Sequence, residues 1–75
     1  MAEQDEGICI RFGRRVRTLR SAKGVSQERL GLECGLSQTY ISEVEAGKRN
    51  ISLENIYGIA RAFDITLTEL MEGVG

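Results

Sequence analysis

The chain has 75 residues, 41% apolar and 28% charged, with no proline and a net charge of −1. This size admits one small domain burying about 60% of its unfolded surface, and the missing proline favours helix. No apolar run approaches the roughly 20 residues of a membrane span, and the acidic opening Met-Ala-Glu-Gln-Asp-Glu lacks a signal-peptide layout, so a cytoplasmic protein with no membrane contact is expected. Cys9 and Cys34 cannot build a disulfide framework, and without histidine a zinc site lacks ligands. Free thiols, no metal and no cofactor are therefore expected. The commonest general base is missing as well, and no Gly-rich phosphate loop or nucleophile elbow gathers the carboxylates, so no enzyme is expected. The net charge, taken alone, also argues against nucleic acid.

Glycines divide the chain into five stretches of helical period. The first carries Ile8, Phe12, Val16 and Leu19 and ends at Lys23-Gly24, a cation followed by a residue suited to a left-handed cap. Ser26 is placed to cap a short second helix, with Glu28 in its first turn, Leu30 and Cys34 inward, and Gly35 at its end. Leu36 follows, then Ser37 as the next cap, then a third helix with Ile41 and Val44 inward and Gly47 closing it. Ser52 caps a fourth, whose apolar face is read as Leu53, Ile56, Tyr57, Ala60 and Phe63. Thr66 and Glu69 have the spacing of a capping box, opening a last segment with Leu67, Leu70 and Met71. The expected fold is all-α: a compact five-helix domain over residues 8–75, with a flexible tail over 1–7 and fraying at 73–75.

The most specific signal lies in residues 27–46. Two helices meeting at a steep angle through a tight turn need a tiny residue where they touch and a glycine where the backbone turns left-handed. Gly31 and Gly35 stand there, with Leu30, Cys34, Leu36, Ile41 and Val44 as the apolar positions of a helix-turn-helix. A plain helical hairpin would match one or two of these seven positions. The segment from Phe12 to Met71 resembles the phage-repressor-like (Cro/C1-type, XRE) helix-turn-helix family. Its stretch Ser37-Gln-Thr-Tyr-Ile-Ser-Glu-Val-Glu-Ala-Gly-Lys-Arg-Asn-Ile-Ser-Leu-Glu is closest in style to the controller proteins of restriction–modification systems. The resemblance implies a lambda-repressor-like fold and a DNA-binding transcriptional regulator, repressor or activator. The alternative is an antitoxin, or a phage or plasmid repressor, that also binds a protein partner.

Stepping 100° per residue from Ile41 turns Val44 and Glu45 to the core side and Thr39, Ser42, Glu43 and Ala46 away from it, with Gln38 at the helix start. Gln38, Thr39, Ser42 and Glu43 are thus the expected base-reading residues; glutamine suits adenine, while the Glu43 carboxylate either accepts from cytosine or repels phosphate as a negative selector. Phosphate contacts are expected from Gln27 and Ser37 at two helix starts and from Tyr40, whose alternative is to cover the core edge. The resemblance adds Lys48, Arg49 and Asn50 as a backbone-binding loop, and a partly buried salt bridge between Arg20 and Glu45.

One recognition helix reads few base pairs, so a homodimer on a palindromic double-stranded operator is expected, with RNA polymerase as a further candidate partner. Ile65, Leu67, Leu70, Met71 and Val74 supply more apolar residues than a one-turn helix needs, in the region the family uses for two-fold dimers. The charge is also uneven: residues 1–10 carry −3, residues 11–29 carry +6, residues 30–50 carry −1 and residues 51–75 carry −3. Arg11, Arg14, Arg15, Arg17 and Lys23 make the first helix basic, so the weak net charge does not exclude DNA. It predicts heavier reliance on base contacts.

Overall fold

A computed structural model describes the backbone of residues 2–75 and the side chains of residues 7–75. The expected flexible tail over residues 1–7 lies, apart from Gly7, outside the described side chains. Five helices follow in order: α1 (Ala2–Lys23), α2 (Gln27–Cys34), α3 (Gln38–Glu45), α4 (Leu53–Ala62) and α5 (Leu67–Leu70). No strand occurs among the described residues, and none of the described helices is long and apolar enough to cross a membrane.

Each helix from α2 to α5 starts because a hydroxyl satisfies an amide that the first turn leaves unpaired. Ser26 Oγ accepts from Arg29 N, Ser37 Oγ from Tyr40 N, Ser52 Oγ from Asn55 N and Thr66 Oγ1 from Glu69 N. At α5 the Glu69 carboxylate accepts in return from Thr66 N at 2.9 Å, completing the capping box. Gly35 ends α2 at φ 75°, and Leu36 N donates back to the Gly31 carbonyl at 2.8 Å. A Cβ on Gly31 would run into the Leu36 carbonyl oxygen, so the turn between α2 and α3 closes only around glycine. The end of α4 has no glycine; Asp64 takes the left-handed position at φ 59°, a conformation aspartate tolerates better than most residues.

Phe12, Val16, Leu30, Ile41, Val44, Ile59, Ala60, Leu70 and Val74 form the core, ringed by Leu19, Cys34, Leu36, Ile51, Ile56, Phe63, Ile65 and Met71. Three segments depart from the sequence expectation. Ile8 is exposed, so the α1 stripe begins at Phe12. On α4 the face is turned: Ile59, outside the expected stripe, is fully buried, while Leu53 and Tyr57 are 73% and 51% exposed. Helical spacing placed apolar residues on both flanks of Ile56 and Ala60, and only packing against the other helices selects one flank. Burying Ile59 contributes about 1.5–3 kcal/mol. Residues 73–75 are not wholly frayed either, since Val74 is buried and its carbonyl accepts from Arg11 Nε at 2.7 Å.

That last bond belongs to a pattern that changes the meaning of the basic first helix. Arg15 donates to the carbonyls of Leu70 and Glu69 at 3.2 and 2.7 Å, where the end of α5 leaves acceptors unpaired, and lies 3.6 Å from the Glu72 carboxylate. Lys23 donates to the Ala62 carbonyl at the end of α4. Much of the positive charge of α1 is thus engaged in holding the C-terminal helices down.

Candidate nucleic-acid interface

The pair α2 and α3, with the tight turn between them, is fixed to α1 through two contacts at the C-terminal half of α3. Gly13, inside α1, sits against backbone: a Cβ there would meet the Val44 carbonyl oxygen, and would lie 2.7 Å from that of Glu45. Beside it, Arg20 grips Glu45 with two hydrogen bonds, Nε to Oε2 at 2.6 Å and Nη2 to Oε1 at 3.1 Å, a forked geometry that fixes orientation as well as distance. The Glu45 side chain is only 4% exposed and that of Arg20 only 16%. Gln27 Nε2 adds a third donor to Glu45 at 3.0 Å, and Arg20 Nη1 donates to the Val25 carbonyl. The hydrogen bond to Glu45 raises the Arg20 pKa further above its ordinary value, outweighing the opposite pull of burial, with the carboxylate charge adding to the rise. One buried carboxylate thereby ties α1, the start of α2 and the end of α3 together.

With α3 so placed, Ile41 and Val44 point into the core and the opposite side is open. Gln38, Thr39, Ser42 and Glu43 line one surface groove together with Gln27 from the start of α2. The four expected base-reading residues therefore share one face. Gln27 is at its edge, with its amide already turned by Glu45. Ser37 is exposed, with its hydroxyl occupied as the cap of α3.

Lys48, Arg49 and Asn50 follow α3 as an exposed loop. Arg49 reaches back, donating Nε to Glu43 Oε1 at 2.8 Å and placing its guanidinium 4.9 Å from the centre of the Tyr40 ring. Tyr40 is half-buried against the core edge, and its hydroxyl accepts from Asn55 Nδ2 at 3.2 Å. The sequence reading missed Asn55, because nothing local joins residues fifteen apart. It missed the role of Gly13 too, although a glycine within a helix, costly in itself, is a signal of close backbone approach.

The expected dimer residues separate into two groups. Leu70 and Val74 are buried in the chain's own core, so this pair must be withdrawn from the partner-facing set; filling a small core claimed them first. Ile65 and Met71 are partly buried at its margin, and Leu67 is 37% exposed. Cys34 is half-buried with Sγ donating to the Leu30 carbonyl, and burial pushes its thiol pKa up; both cysteines are free.

Comparison with known proteins bears on this arrangement. A family model described as helix-turn-helix matches residues 16–70. The control protein C.BamHI of Bacillus amyloliquefaciens is 44% identical over 66 residues, covering 87% of this chain and 82% of that protein. The crystal structure of the restriction-modification controller protein C.AhdI from Aeromonas hydrophila is 50% identical with a TM-score of 0.81, covering 83% of this chain and 94% of the other. The P22 c2 repressor protein, solved in complex with a synthetic operator, is 27% identical with a TM-score of 0.75 over 83% of this chain and 94% of its own.

Proposed function

The chain belongs to the helix-turn-helix family, and from that premise we propose that it is a sequence-specific DNA-binding regulator of transcription, the controller of a restriction–modification system, acting as a two-fold dimer on a palindromic operator. The observation that carries this reading is the shared open face of Gln38, Thr39, Ser42 and Glu43 on α3, flanked by Gln27. Short polar groups on one exposed face suit base edges in a major groove, where each base pair offers a distinct set of donors and acceptors. Gln38 suits adenine N6 and N7; Thr39 and Ser42 either donate or accept; Glu43 accepts only. Around them the starts of α2 and α3, near Gln27 and Ser37, carry the positive end of each helix dipole toward phosphate. Tyr40, Lys48, Arg49 and Asn50 complete the phosphate contacts, which position the protein without reading sequence.

A single α3 spans few base pairs, whereas two related by a two-fold axis read half-sites one helical turn, about 34 Å, or a multiple apart. Ile65, Leu67 and Met71 supply the partner-facing apolar surface in the C-terminal region, and the exposed Leu53 and Tyr57 of α4 offer more. Bound to its operator, the dimer controls transcription by placing or excluding RNA polymerase. Similarity to control proteins such as C.BamHI and C.AhdI supports the restriction–modification setting.

Sedimentation at graded concentration, combined with titration of duplexes bearing one or two half-sites, tests the dimer. A dimer in solution that binds the two-half-site duplex far more tightly is expected. A monomer at every concentration, or equal affinity for both duplexes, would overturn the two-fold model.

A further inference from the structure

Side chains of this one chain join the reading face to the phosphate loop. Arg49 in the loop donates Nε to Glu43 on α3 at 2.8 Å, and its guanidinium rests 4.9 Å from the Tyr40 ring centre. Asn55 fixes that ring through the Tyr40 hydroxyl, and is itself fixed at the start of α4, where its backbone N–H donates to Ser52 Oγ at 3.1 Å. Arg49 therefore lies against a ring held by a hydrogen bond from α4, with a carboxylate as its counter-ion. That carboxylate shares a groove with Gln38, Thr39 and Ser42.

The side chains of Arg49 and Glu43 are 50% and 38% exposed, and an ion pair so open to water exchanges partners readily. A DNA phosphate is a competing partner for Arg49. When Arg49 leaves, however, Glu43 stands as a bare carboxylate in a groove crowded with negative charge, unless a base supplies a hydrogen. In the major groove, cytosine presents its N4 amino group and adenine its N6 amino group, whereas guanine and thymine present acceptors only. We propose that Glu43 and Arg49 form an exchange pair that couples base reading to phosphate binding: Glu43 releases Arg49 to a phosphate where the base within its reach is cytosine or adenine, whose amino group takes the cation's place, and retains Arg49 where that base is guanine or thymine. This rests on the reading that α3 enters the major groove. It makes Glu43 a specificity determinant that acts by withholding a cation from the wrong sequence.

Titration of a random-sequence duplex and of a selected site over a range of salt, with wild type, Glu43→Gln, Arg49→Gln and the double variant, tests the exchange. Glu43→Gln frees Arg49 at every sequence. Binding to random duplex should then tighten about eightfold at about 0.1 M salt, and the log–log salt slope steepen by about 0.9, the value of one added phosphate contact. Preference for the selected site should fall by at least that factor. In the Arg49→Gln background the same substitution should still relieve the repulsion of a bare carboxylate, but it should leave the salt slope unchanged, because no cation is released to a phosphate. An equal steepening of the slope in both backgrounds would refute the exchange, as would an unchanged slope and preference in the wild-type background. Failure of the wild type to bind any duplex is a separate result, which would overturn the underlying reading and the exchange with it.

Discussion

Removing Arg20 should damage this protein more than any other single charge deletion on α1. Arg20→Ala takes two of the three hydrogen bonds from a Glu45 side chain that is 4% exposed, leaving only the neutral Gln27 amide at 3.0 Å. Stranding one member of a buried ion pair costs about 3–5 kcal/mol, whereas a domain of this length holds only about 4–11 kcal/mol in total at 0.05–0.15 kcal/mol per residue. With about 4–8 °C per kcal/mol for a domain of this size, the thermal midpoint should drop by about 12–40 °C. Circular dichroism melts should show this with little dependence on salt, because the pair is shielded from screening ions. The sign with pH also follows. Because the folded Arg20 pKa is raised, the stability it contributes is fully present below the unfolded value and lost only as pH rises through the folded one, far above neutrality. The loss on substitution should therefore be flat between about pH 6 and 9. Arg20→Met with Glu45→Leu, which removes both charges, should recover most of the midpoint. A midpoint for Arg20→Ala within about 3 °C of wild type, under 1 kcal/mol, would mean that Glu45 does not depend on Arg20 for its charge balance.

Two glycines inside helices should respond in opposite directions to alanine. Gly58→Ala places a methyl 3.7 Å from Cys34 Cβ, an ordinary contact, so the helix-propensity gain of about 0.8–1.0 kcal/mol should appear as a higher urea midpoint. Gly13→Ala drives a methyl into the Val44 and Glu45 carbonyls, and overpacking of about 1–3 kcal/mol should outweigh the same gain and lower that midpoint. Cys34 should react slowly with a thiol reagent in the folded protein and faster in urea, because burial favours its neutral form. Its raised pKa also makes stability decline as pH rises above about 9, a decline that Cys34→Ala should reduce.

Much of this molecule is legible in the sequence because its local signals are strong and agree. Ser26, Ser37, Ser52 and Thr66 act on amides three residues away, and Gly31 and Gly35 answer steric demands made within the same turn. What the sequence hides is decided at long range. Ile59 and the pair Leu53 and Tyr57 are equivalent under a helical period until α4 meets its neighbours. The positive charge of α1 suggests a partner outside the chain, yet Arg11 and Arg15 reach carbonyls 63 and 54–55 residues away. Leu70 and Val74 look surplus to a one-turn helix only while the core they fill is out of view. The link from Asn55 through Tyr40 to Arg49 and Glu43 likewise exists only after folding. The placement of α3 shows both kinds of cause: its cap is local, while Gly13 and Arg20, from a distant helix, set its tilt.

The outer face of α3 should read DNA sequence, and selection of bound duplexes from a random pool by wild type, Gln38→Ala and Thr39→Ala puts that role to the test. Wild type should enrich a palindrome with half-sites about 10 base pairs, or a multiple, apart. Each variant should lose preference at a small set of symmetry-related positions, by about 1–3 kcal/mol for a bidentate contact, while keeping the rest of the site. No enrichment by wild type, or an unchanged preference in both variants, would mean that this face does not read sequence.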